Sequence, residues 1–412
     1  MDEPIRPLDP AHPGVRVEFG VGEIEVLAQA VARDTARQMQ VITGVLGEAR
    51  RHPEIFLDPA ELAMLSPSDA RRYSESAAVA DLATRLSVAE GTVRIWAHQA
   101  DALIRSLPRT WQLFRDGTIS VPNARFAADR VGELPESAWY DFDARLLPIA
   151  ALAPARFQTR ARAIVDALRT DPHVVRHRRA AETRRQCLER ANDGMTWFSV
   201  LLADEVAVRA DAHVDAVARE LASAPDETRS LDQLRADVSA DLLTSRSAGV
   251  PAVSVSVAVS VPVMTLLGHG DEPGELEGGI PIDAETARRL AGHAPSFSRI
   301  LTHPVAGTVL DVDRTTYRVP ADLKRWLRVR DRTCAFVGCG RRASATDLDH
   351  TVAWADGGAT SARNLACLCE RHHRMKHLSR WRMTQDAGGI TWTSPTGKVH
   401  PPRPRAEAPP PF

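Results

Sequence analysis

One stretch limits what this chain can fold into more than any other. Between Arg330 and His377 it carries Cys334-x4-Cys339, Asp349-His350, Gly357-Gly358, Asn364-Leu365, Cys369-x2-His372-His373 and Lys376-His377. Two pairs of soft ligands suit a structural zinc, and a carboxylate beside an imidazole suits a hydrolytic centre. His373 and His377 stand at i and i+4, so on a helix they share one face and can present both imidazoles to one ion. On the same helix His372 is rotated from His373 by roughly 100°. That turns it away from the ion and towards the cysteines.

A structural zinc takes four sulfur and nitrogen ligands in a tetrahedron. Cys334, Cys339, Cys369 and His372 supply that set, with Cys367 as the competitor for the place of Cys369. Cys367 falls inside the apolar run 365–368 and reads as a small core residue, while Cys187 stands alone and reads as structural. Five cysteines in 412 residues are too few for a secreted disulfide framework, and four of them lie in this stretch. That favours thiolate–metal ligation in a reducing, cytoplasmic setting.

The order D-H, G-G, N-L, L-C-x-x-H-H-x-x-K-H resembles the HNH endonuclease family, in its ββα-metal form with an added zinc knuckle, over residues 321–380. The resemblance implies metal-dependent hydrolysis of nucleic acid, DNA first among the substrates. It makes His350 the general base and Asp349, His373 and His377 the ligands of a catalytic divalent ion (Mg2+, Mn2+, Ni2+ or Zn2+). It makes Asn364 the residue that holds the loop so that the base is oriented. Ala353 and Val337 stand where the family commonly has prolines, which loosens two turns and removes no ligand. Arg330, Arg374 and Lys376 are candidates for backbone phosphate contacts, with plain solubility as the alternative.

Charge is distributed to match. Residues 321–380 hold 12 Lys/Arg against 6 Asp/Glu, so this segment carries +6 and the remainder −7 of a net −1. A basic module on a mildly acidic body fits a localised polyanion site better than general stickiness. No apolar run is long enough to span a bilayer, and the start of the chain is acidic and proline-containing, unlike a signal peptide. The oligomeric state is left open.

The rest of the chain reads as an α+β protein. A disordered lead-in (1–18) precedes a mainly helical body (19–300), connecting strands (301–320), the ββα-metal module (321–380), a hairpin (381–400) and a disordered tail (401–412). Apolar residues recur at helical spacing as Ile24, Leu27, Val31, Met39, Ile42 and Leu46, as Ala161, Ile164, Val165 and Leu168, and as Ala210, Val214, Val217 and Leu221. These are expected to be core faces. The basic run 176–190 reads as a solvated helix face.

Strand signals appear at 195–202 and in the alternating valines from Val253 to Val261. A glycine-rich connector follows at 268–279, and Asp283 reads as the N-cap of a short helix through Ala291. Segment 79–103 has the order helix, turn at Ser87-Val88, helix from Ala89, which a helix-turn-helix would share; Thr92, Arg94 and His98 would then face DNA. An ordinary helical hairpin is the plainer reading.

Leu107-Pro108, Gly117-Thr118-Ile119-Ser120, Gly194-Met195 and Leu266-Leu267-Gly268 also resemble a helical domain of unknown function. That domain often precedes HNH modules in bacteria of high genomic GC content, and the likeness assigns no activity. Base, asparagine and all ligands are present. The sequence therefore favours an endonuclease over a non-cleaving, zinc-stabilised DNA-binding or regulatory protein acting through 79–103.

Overall fold

Prolines and short polar residues open many of the helices that the periodicity implies. The computed structural model describes residues 13–244, 259–276, 279–292, 319–386 and 388–402. It begins with α1 (Pro13–Arg51), α2 (Pro59–Leu62), α3 (Pro67–Leu86), α4 (Glu90–Ser106), α5 (Pro108–Arg115), α6 (Val121–Val131), α7 (Glu136–Leu146) and α8 (Pro154–Leu168). Proline suits a first helical turn because the N–H it lacks would have no helical partner there. Asp58 and Ser66 cap α2 and α3 by accepting from the N–H groups of Ala60 and Asp69, each at 3.1 Å. The start of α5 is capped from a distance: buried Asp143 accepts from the N–H groups of Arg109 at 2.9 Å and Thr110 at 3.0 Å.

The described residues fall into two compact units, one formed by those up to 170 and those from 319 onward, the other by those from 171 to 292. The second unit holds α9 (His173–Glu182), the hairpin β1 (Arg185–Arg190) and β2 (Thr196–Leu201), α10 (Asp204–Leu221) and α11 (Leu231–Thr244). After these come β3 (Val259–Ser260), α12 (Val263–Leu266), β4 (Gly274–Leu276), β5 (Ile280–Ile282) and α13 (Ala284–Gly292), with β4 central in an antiparallel sheet. Asp283 caps α13 by accepting from the N–H of Thr286 at 2.8 Å.

The first unit continues with α14 (Ala321–Asp331), β6 (Asp347–His350), β7 (Leu365–Leu368) and α15 (Glu370–Leu378). It ends in the meander β8 (Arg382–Asp386), β9 (Gly389–Thr393) and β10 (Val399–His400). Two cores build this unit. One is purely helical and gathers Met39, Leu103, Phe114, Phe142 and Phe157. The other joins Ile42 and Leu46 of α1 and Ala77 and Ala80 of α3 to Phe336, Leu368, Trp381 and Trp392. Trp381 and Trp392 are fully buried, and their indole N–H groups donate to the carbonyls of Ala77 at 3.2 Å and Ala335 at 3.0 Å. Truncating such a ring to alanine typically costs about 3–5 kcal/mol, so the module is held on the helices by core packing. Main-chain bonds reinforce it, with Arg380 N–H donating to Phe56 at 2.8 Å and Asp58 N–H to Leu378 at 3.2 Å.

Several expectations change. Residues 13–18 are already helical, so the lead-in is shorter than 1–18. Met39, Ile42 and Leu46 are buried, but Ile24, Leu27 and Val31 are exposed, and of the 210–221 stripe Ala210 and Leu221 are exposed too. The basic run 176–190 is no single helix face: α9 stops at Glu182 and β1 starts at Arg185. Cys187 is exposed rather than structural, and the glycine-rich connector contains β4. Of the alternating valines, Val259 lies in β3 and Val261 directly after it; Val253, Val255 and Val257, most of the connecting segment 301–320 and most of the tail lie outside the described residues. Among the described residues no helix is long and apolar enough to cross a membrane.

Candidate metal centres

The ββα unit forms because a buried, four-residue apolar strand is followed at once by a histidine-rich helix. β6 and β7 pair antiparallel, with Asp349 opposite Ala366 and His350 opposite Leu365. Asn364 ends the loop before β7, and α15 begins at Glu370. The loop turns at Gly357, which has φ +85°, and Gly358. A Cβ on Gly358 would lie 1.9 Å from the Val352 carbonyl, so only glycine fits there. Asn364 braces the same loop: its Oδ1 accepts from Val352 N–H at 2.8 Å, and its Nδ2 donates to the carbonyls of Val352 and Ala359, each at 3.0 Å.

Two groups of donor atoms flank α15. In the first, the ligand atoms of Cys334, Cys339, Cys369 and His372 all lie within 4.8 Å of one another. A tetrahedral zinc holding sulfurs at about 2.3 Å separates them by about 3.8 Å, so this spacing fits zinc. His372 aims Nδ1 at the sulfurs, 3.4 Å from Cys334 and 3.2 Å from Cys369. Phe336 stacks on the imidazole with centroids 4.1 Å apart, and the edges of Trp381 and Trp392 meet Phe336, each at 5.0 Å. Hydrogen bonds with Cys334 and Cys339 hold Cys369 far below the usual thiol range, while bonds with Cys339 and Cys369 push Cys334 above it. Cys367 packs instead against Leu327 and Leu365.

The second group is Asp349, His373 and His377, whose ligand atoms also lie within 4.8 Å of one another. Asp349 Oδ1 is 3.2 Å from His373 Nε2 and 3.4 Å from His377 Nε2. Ligands about 2.1 Å from a common ion at angles near 90–110° stand roughly 3.0–3.4 Å apart, so these residues fit one divalent ion. The other carboxylate oxygen, Oδ2, accepts from Lys376 Nζ at 2.6 Å, and Lys376 also donates to the His350 carbonyl. Burial pushes Asp349 up, but hydrogen bonds from His373, His377 and Lys376 outweigh it and hold the carboxyl far below its usual range. The bond to Asp349 pushes His373 up.

His350 follows on the same strand, buried, with Nε2 3.0 Å from Thr360 Oγ1 and its ring against Trp354. Burial lowers its pKa, with the Lys376 charge acting the same way and Asp349 opposing. That direction favours the neutral imidazole near pH 7.

Two candidates for phosphate contacts prove to be internal. Arg330 is a buried strut: it pairs with Asp331 at 2.5 Å and donates to the carbonyls of Ala362 at 2.5 Å and Leu365 at 2.7 Å. Lys376 is committed to Asp349 and to the His350 carbonyl as described. Arg374 stays exposed and pairs along the helix with Glu370 at 2.7 Å. Sequence reading missed Thr360 and Glu90; the latter, on α4, lies 2.7 Å from His372 Nε2. That contact also redefines 79–103 as a helical hairpin docked on the module, since the opening carboxylate of its second helix binds His372 and Arg371.

Two uncharacterized proteins of Mycobacterium tuberculosis strain H37Rv, Rv3776 and Rv2100, are 41% and 40% identical to the chain over 86 residues. Each match covers 20% of this chain and only 16% of the relative. No solved structure matches. Residues 334–379 match the HNH endonuclease family, and residues 60–331, more than half of the chain, match the family described as Domain of unknown function (DUF222). The chain therefore belongs to the DUF222 family and carries an HNH endonuclease domain directly after that domain.

Proposed function

We propose that the protein is a metal-dependent endonuclease that hydrolyses DNA phosphodiester bonds within a reducing cytoplasm. The observation that carries this reading is the convergence of Asp349 Oδ1 with the Nε2 atoms of His373 and His377, one residue along the strand from a buried His350. Asp349, His373 and His377 would hold a divalent ion (Mg2+, Mn2+, Ni2+ or Zn2+), which would supply positive charge to offset that developing on the phosphate and the leaving group. His350, kept neutral by burial, takes the proton of the attacking water. Lys376 ties the Asp349 carboxylate to the His350 carbonyl, which fixes ligand and base relative to each other. Asn364 acts at one remove, holding the loop that carries Thr360 against His350. Arg374 contacts backbone phosphate, and Cys334, Cys339, Cys369 and His372 hold a structural zinc.

The test is incubation of purified protein with plasmid DNA under each of the four ions, with EDTA and His350→Ala as controls. We expect nicking or linearisation that EDTA abolishes and that His350→Ala slows by about 10²–10⁴-fold while DNA binding persists. Protein that binds DNA and metal but cuts no single- or double-stranded DNA or RNA would instead be a passive binding module.

A further inference from the structure

The first turn of α4 carries a carboxylate that the nuclease module uses. Glu90 stands 282 residues before His372 in the chain, yet its Oε1 lies 2.7 Å from His372 Nε2. Both side chains are sheltered, Glu90 at 13% exposure and His372 at 4%. The imidazole is therefore engaged at both nitrogens: Nδ1 faces the sulfurs of Cys334 and Cys369, and Nε2 faces a carboxylate. With zinc on the Nδ1 side, a histidine so placed would carry its proton on Nε2 and offer the Nδ1 lone pair inward, the arrangement that orients an imidazole ligand and raises its basicity.

We propose that Glu90 of the helical domain orients His372 for zinc, so that the DUF222 domain completes the metal-binding shell of the HNH domain. This rests on the zinc reading of the Cys334, Cys339, Cys369 and His372 cluster.

Charge supports the assignment. Three thiolates and a neutral imidazole around a dication leave one net negative charge, and Glu90 adds another beside it. Arg371 pairs directly with Glu90, and Arg94 lies 3.9 Å from the same carboxylate. Both cations offset a charge that a sheltered carboxylate next to thiolates would otherwise disfavour. Packing supports it too. Phe336 holds the plane of the imidazole, and Val93, three residues along α4 from Glu90, lies in the same core as Phe336 and Cys369. The helix that presents Glu90 is thus fixed relative to the ring that receives it.

The test uses the full-length chain. Zinc affinity is measured by competition with a chromogenic chelator for wild type, Glu90→Ala, Glu90→Gln and Arg382→Ala. The last variant removes a contact of the same docking face, Arg382 to Asp58 at 3.4 Å, without touching His372. We expect Glu90→Ala to weaken zinc binding about 10–100-fold, Glu90→Gln to weaken it less because its carbonyl still accepts from Nε2–H, and Arg382→Ala to leave it unchanged. Nitrogen-15 spectra of the zinc-loaded wild type should show His372 protonated on Nε2 and metal-bound through Nδ1, a readout that does not depend on any variant folding. Unchanged zinc affinity in Glu90→Ala, an equal loss in Arg382→Ala, or the opposite tautomer would each overturn the role of Glu90. Wild-type protein that binds no zinc would overturn the zinc reading itself and the proposal with it.

Discussion

His372 and His373 are neighbours on α15, yet the two donor groups they join differ in almost every physical respect. His372 is 4% exposed and engaged at both ring nitrogens, among three cysteines and under a stacked phenylalanine. His373 and His377 are 34% and 50% exposed and converge on one carboxylate oxygen. The first group offers four protein donors, three of them buried, the number and kind that a structural zinc takes. The second offers three donors and an open side, which is what a reacting phosphate needs. One residue of helical rotation thus separates two groups that differ in burial, in donor number and in ligand chemistry together.

Single substitutions test that division. His372→Ala should have the largest effect, because zinc binding and folding are one process in small sites and are worth about 10–16 kcal/mol there. Elemental analysis should show zinc lost, near-ultraviolet circular dichroism should show Trp381 and Trp392 released, and added metal should not restore cleavage. Retained zinc with an unchanged melting temperature would erase the distinction between the sites.

Arg330→Met comes next. It leaves the 6%-exposed Asp331 carboxylate without its cation and two carbonyls without their donor. Breaking such a buried pair costs about 3–5 kcal/mol, which urea denaturation should report. A stable variant with weakened DNA binding would return Arg330 to the phosphate-contacting set.

His373→Ala should behave in the opposite way to His372→Ala. Zinc content and melting temperature should stay as in wild type while cleavage falls, and part of the activity should return as the divalent ion is raised. Activity lost together with zinc would mean that the two groups are a single cooperative centre.

The smallest effect probes the surroundings of the first group through pH. His400 is buried and stacks on Trp381, and burial, aided by Lys398, lowers its pKa from 6.5. A histidine depressed in the folded state takes up its proton more readily when unfolded. Its contribution is therefore complete above about pH 6.5 and declines as pH falls from there towards the folded value. His400→Phe should flatten the fall in stability that wild type shows as pH drops below about 6.5. An unchanged pH slope would remove His400 as its source.

What could be read in the chain and what could not follow from the range of each interaction. Cys334 and Cys339, Asp349 and His350, and His372, His373 and His377 lie close enough in sequence for strand alternation and helical rotation to set their directions. Spacing therefore paired His373 with His377 and turned His372 towards the cysteines, the family resemblance added Asp349 to the ligand set, and the apolar run marked Cys367 as a core residue. Exposure was not. Helical period marks Ile24, Leu27, Val31, Met39, Ile42 and Leu46 as one apolar stripe, but only the last three are buried, because burial depends on what packs opposite. The same holds for charge: composition counted Arg330, Arg374 and Lys376 alike as surface cations, and the fold turned two of them inward onto carboxylates. Glu90 shows the limit most clearly. No local pattern connects it to His372, since a hydrogen bond across 282 residues exists only once α4 and α15 have packed on a common core.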